Sequence, residues 1–136
     1  MIIWEDLTPA HKRAIKEMSE HSFEKMIRIW FPILQGQRFL GNWHFSYLCS
    51  EVEKIISGES QNVIFNITPG SGKTEIFSIH MSPYASLKSR KVRNLNLSFS
   101  DGLVQQNSNR IKEIIGSPEW QELWPGKLAK ASAKDL

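Results

Sequence analysis

Apolar residues recur along this chain first at spacings of three and four, and later at a spacing of two. Thr8-Pro9 is an N-cap followed by proline at the first helical position, and a short helix is expected to about Glu20. Ser22 caps a second apolar stretch with Phe23, Met26, Ile27, Trp30 and Phe31, which Pro32 and Gly36 end or kink. Asn42 opens a third stretch. Phe45, Leu48, Cys49, Val52, Ile55 and Ile56 follow it on one face of an amphipathic helix closed by Gly58.

The pattern then changes. Val63-Ile64-Phe65-Asn66-Ile67 is short, apolar and rich in β-formers, which predicts a buried strand. Pro69, Gly70 and Gly72 break it, and Lys73 to about Met81 reads as a helix stopped by Ser82-Pro83. Asn94 to Ser98 alternates polar with apolar and puts Leu95, Leu97 and Phe99 on one side, as a second strand would. Asp101 is expected to cap a helix whose face includes Leu103, Val104, Ile111, Ile114 and Ile115. Ser117-Pro118 starts a last short helix that Pro125-Gly126 ends. Helices followed by strand–loop–helix–strand–helix predict an α/β fold with a parallel sheet.

Composition narrows the class. The chain has 136 residues, 40% of them hydrophobic, which is enough for one ordinary core and unlike a disordered segment. A single cysteine, Cys49, cannot form an intramolecular disulfide, and on an apolar helix face it reads as a buried, inert thiol. The first residues lack the basic and apolar run of a secretory signal, and no apolar segment approaches the roughly 18 residues of a membrane span. The expectation is a soluble intracellular protein without a membrane partner. The net charge of +3 is unevenly placed: residues 61–100 carry five basic residues against one acidic. Lys88, Arg90, Lys91 and Arg93 form a cluster that could face the phosphates of a nucleic acid; the plainer reading is a solvated turn.

One segment carries chemistry. Thr68-Pro69-Gly70-Ser71-Gly72-Lys73-Thr74 lies between a predicted strand and a predicted helix, where a phosphate-binding (Walker A) loop lies. Glycines let backbone N–H groups close around an anion, and the following helix adds its positive N-terminal end. Lys73 would reach the β- and γ-phosphates of ATP, and the Thr74 hydroxyl would ligate Mg²⁺. The glycine that usually stands five positions before Gly72 is replaced by Ile67. A plain glycine-rich turn with a solvated lysine is the alternative. Hydrolysis also needs an acidic residue at the end of another strand. Asp101 is the only acidic residue so placed and reads better as a cap, so no catalytic residue is assigned.

With that loop placed, the chain resembles the N-terminal ATPase part of the large terminase subunit of tailed bacteriophages, the motor that packages DNA into proheads. The likeness rests on Asn42-Trp43-His44-Phe45 running into Glu51 to Gly58, on Asn62 to Thr74, and on Leu97 to Leu103. It continues through Arg110, Ser117-Pro118-Glu119-Trp120 and Leu123-Trp124-Pro125, and covers roughly residues 22–135. The resemblance implies an all-helical segment over 1–41 and a partial P-loop NTPase-like domain over 42–136. Pro69, Gly70, Ser71, Gly72, Lys73 and Thr74 would hold ATP and Mg²⁺, and His44 would lie near the adenine, unless it is an ordinary helix-start histidine. The family loop often carries an arginine before the glycine, which Thr68-Pro69 lacks.

The resemblance also implies partners and a place: double-stranded viral DNA, the terminase small subunit, the portal protein, a homo-oligomeric ring, and the cytoplasm of a bacterial host. The family's acidic Mg²⁺ motif and its nuclease are absent from these residues, so the parallel sheet is expected to be incomplete at its C-terminal end. A helicase-like or recombination ATPase and a non-hydrolysing nucleotide-binding remnant are the alternatives.

Overall fold

The computed structural model describes residues 3–68, 70, 72–89 and 91–126. After a 3-10 turn at Trp4–Asp6 come α1 (Pro9–His21), α2 (Phe23–Gln35) and α3 (Trp43–Ile56). A π-helix, Thr74–His80, runs straight into α4 (Met81–Lys88), and α5 (Asp101–Gly116) and α6 (Pro118–Leu123) complete the order.

The helix starts follow from their caps. Thr8, Ser22, Asn42 and Ser117 each accept a hydrogen bond from a backbone N–H of the first turn they open. The cap of α5 is Ser100, whose hydroxyl accepts from the Leu103 N–H at 3.4 Å; Asp101, the expected cap, is instead the first helical residue. There its carboxylate favours the positive helix end without bonding to it. Gly36, at φ +68°, ends α2, while Pro32 stays inside the helix.

α2 is the centre of the molecule. Phe23, Met26, Ile27 and Trp30 on it are fully buried, and α1, α3 and α4 pack against it. Trp30 meets three other indoles, with ring centroids 5.8 Å from Trp4, 5.1 Å from Trp120 and 5.9 Å from Trp124. Two of these indoles donate to oxygens of α1: Trp30 to Ser19 Oγ at 3.0 Å and Trp124 to Glu20 Oε1 at 2.8 Å. Trp4 donates to Glu122, and Lys12 Nζ stands 3.1 Å from the same carboxylate. Those two contacts hold the Glu122 carboxyl below its ordinary pKa. The two ends of the described residues are thereby tied together through one aromatic cluster.

The parallel sheet is not there. Among the described residues no strand forms, so the expected P-loop NTPase-like α/β fold is corrected to an all-helical one. Val63–Ile67 is irregular and mostly exposed. Ile64 is 87% exposed, while Phe65 and Ile67 are half-buried, with Phe65 stacked on Phe77 at 4.3 Å. Asn94–Ser98 is likewise unpaired, with Leu97 83% and Phe99 95% exposed. The physical reason is pairing. A strand satisfies its backbone only beside another strand, and these two segments form no ladder with each other, whereas each helix satisfies its own backbone. Pro83 also fails to stop its helix: the π-helix runs straight into α4, and Pro83 lies fully buried inside the continuous helical segment.

Candidate functional site

The loop between residue 68 and the π-helix is the place to begin. Gly70 and Gly72 have φ of +81° and +83°, a left-handed backbone in which a side chain would be strained. A Cβ at Gly70 would meet nothing within 4 Å, and one at Gly72 would lie 3.7 Å from Phe39 Cζ. Space therefore does not require glycine here; backbone conformation does. Pro69 and Ser71 lie outside the described residues, as does Arg90 of the basic cluster.

Lys73 and Thr74 follow at the start of the π-helix, and both are exposed. Lys73 Nζ donates to the Ile67 carbonyl at 3.3 Å, folding its side chain back across the loop. That contact lies on an exposed side chain and can be exchanged for a phosphate oxygen. The Ile76 N–H closes onto the Gly72 carbonyl at 3.2 Å, so the first turn is α-like. The Met81 N–H then bonds to the Ile76 carbonyl, five residues back. π-turns are rare and recur at functional sites.

Thr74 suits Mg²⁺ only together with nucleotide oxygens, since no group of three or more His, Cys, Asp or Glu side chains among the described residues could hold a metal.

His44 lies at the start of α3 and lines a cleft of about 380 Å³ with Trp43, Tyr47, Ile64 and Ile67. Ile67 connects this cleft to the loop, because its carbonyl is the acceptor for Lys73. Trp43, 81% exposed, and Tyr47 form the cleft's aromatic wall. In the sequence Trp43 entered only through the family likeness. The signal was available: Trp43 and Tyr47 are four apart and lie opposite the buried face of Phe45, Leu48, Cys49 and Val52. Cys49 is buried as expected, and burial, with the nearby Glu24 carboxylate adding to it, pushes its thiol up to about 12.

The basic cluster sits at the end of α4. Lys88 packs its ammonium over the Tyr84 ring at 5.2 Å, and Lys91 and Arg93 are exposed beyond it. A second cleft, of about 650 Å³, lies between α4, residues 94–96 and α5 and contains none of the predicted nucleotide-binding residues.

Three buried or half-buried groups behind the loop were not anticipated. Arg110 of α5 grips Glu75 with two parallel bonds, Nη1 to Oε1 at 2.8 Å and Nη2 to Oε2 at 3.2 Å. His80, 1% exposed, bonds through Nδ1 to the Glu75 backbone carbonyl at 2.8 Å. A carbonyl only accepts, so Nδ1 carries the proton. Burial lowers the His80 pKa, against the opposing pull of Glu75. Glu75 and Arg110 are 35 residues apart, and no local pattern announces the pair.

No helix among the described residues is long and apolar enough to cross a membrane. Comparison with protein-family models, with curated proteins and with solved structures finds no match.

Proposed function

We propose that this chain binds a nucleoside triphosphate with Mg²⁺ at residues 68–74, as the nucleotide-binding portion of a DNA-packaging motor of the terminase large-subunit type. The observation that carries the reading is the loop itself. Two left-handed glycines lead directly into an exposed lysine and an exposed threonine at a helix start. Lys73 supplies the positive charge for the outer phosphates and Thr74 an oxygen for the ion. The base lies along the cleft of Trp43, His44 and Tyr47, which Ile67 joins to the loop. The reading concerns a phosphate loop on a helical body; a parallel sheet is no part of it. Its partners are those of such a motor: viral double-stranded DNA, the small subunit, the portal protein and further copies in a ring.

Binding without turnover is the form that the residues favour for the chain by itself. Glu75, the acidic neighbour of Thr74, is held by Arg110, and Asp101 opens α5. Equilibrium titration of Mg–ATP is expected to show saturable binding that Lys73→Ala abolishes. Equal affinity of the two proteins ends the phosphate role. Phosphate release from the 136-residue chain is expected to stay at background; steady release lost in Lys73→Ala would make it a hydrolase.

A further inference from the structure

The Glu75–Arg110 pair stands one residue beyond Thr74, on the turn that presents the phosphate loop. Both partners are largely withdrawn from water, with side chains 20% and 26% exposed. Arg110 Nε is buried without a hydrogen-bond partner. An ion pair drawn from water gains little net stability, and an unpaired buried N–H reduces that further. What a two-pronged guanidinium does well is hold a carboxylate in one orientation. His80 adds a second tie, to the backbone carbonyl of the same residue, and its Nδ1 stands 3.4 Å from Glu75 Oε2. Glu75 is therefore fixed by side chain and backbone together, while its neighbours Lys73 and Thr74 are exposed. The fixation falls where the helix changes from an α-like first turn to π register. That junction decides the direction in which the first turn faces.

We propose that Arg110 is a positioning residue for the phosphate loop: by clamping Glu75 it sets the start of the π-helix, and with it the directions of Lys73 and Thr74. This rests on the nucleotide-binding reading above. Arg110 does not touch the nucleotide; it acts through Glu75. The partner helix α5 begins directly after residues 94–100, so the clamp also ties the loop to the far side of the chain.

The experiment uses the full chain, with Mg–ATP as the probe and thermal unfolding followed in parallel. In Glu75→Met/Arg110→Met the charged pair is replaced by apolar side chains of similar length, so the fold is expected to persist. Its ATP affinity is expected to fall at least about ten-fold, with faster hydrogen exchange at the amides of Thr74 to Ile76. Arg110→Lys keeps the charge but cannot grip both oxygens, and is expected to bind several-fold more weakly than the parent with little change in melting temperature. Should the double variant not fold, Arg110→Lys decides alone. Parental affinity in the folded double variant, or in Arg110→Lys, overturns the positioning role while Lys73-dependent binding leaves the nucleotide reading intact. Absence of Lys73-dependent binding in the parent chain overturns both.

Discussion

Two parts of this molecule carry apolar side chains in sequence and are opposite in structure. Around α2, the tryptophans 4, 30, 120 and 124 gather from both ends of the described chain into one cluster, closed by indole hydrogen bonds. At residues 62–68 and 94–100, uncharged β-prone segments leave Ile64, Leu95, Leu97 and Phe99 in water. Hydrophobicity alone does not separate the two. The first set rides on helices, which complete their own backbone bonding before they pack. The second set needs a neighbouring strand and has none among the described residues. The loop that leads into the π-helix lies where the two regions join: its entry is one of the exposed segments, and its exit is a helix anchored to the core through Ile76, Ile79 and His80.

The sharpest way to break the contrast is to empty the core. Trp30→Ala removes the side chain shared by the other three indoles and leaves the Ser19 hydroxyl buried without its partner. A loss of about 3–5 kcal/mol is expected, read as a fall in the urea midpoint. A loss under about 1 kcal/mol would mean that the cluster is not the centre of stability.

A smaller effect concerns His80. Its pKa is lowered in the fold, first by burial, so the unfolded chain takes up a proton that the folded chain refuses. Its contribution is complete above the ordinary histidine value near 6.5 and is lost as pH falls below it. The urea midpoint is expected to decline between about pH 7 and pH 5, and His80→Gln should flatten that decline. An unchanged slope would assign the pH dependence to another group.

The thiol gives a probe of the core at no cost to the fold. Cys49 is buried and pushed up to about 12, so it is essentially all thiol at neutral pH. Alkylation by iodoacetamide is expected to be far slower than in urea; equal rates would mean that the α3 face opens readily. The smallest effect is expected in the other region. Leu97→Asn and Phe99→Ser should change stability by no more than about 0.5 kcal/mol. A larger loss would show that this segment is packed in solution.

The sequence was informative wherever the physics is local. Helix starts at Thr8, Ser22, Asn42 and Ser117 are legible because a cap hydroxyl or amide bonds within its own first turn. The buried face of α3 is legible because a helix repeats every 3.6 residues. The left-handed turns at Gly70 and Gly72 are legible because glycine accepts a positive φ, although the strand expected before them does not form. The aromatic wall of Trp43 and Tyr47 was legible too, from the side of α3 they occupy.

What local pattern could not decide is who pairs with whom. β-propensity in Val63–Ile67 and Asn94–Ser98 states a preference, and only the tertiary arrangement determines whether a partner strand exists to honour it. The grip of Arg110 on Glu75 is likewise a product of packing between distant segments. The sequence by itself determined where α1, α2, α3 and α6 begin, because a cap closes within a few residues. Only the tertiary structure decided that the body holding the loop is helical, because a sheet is settled between segments and a helix within one.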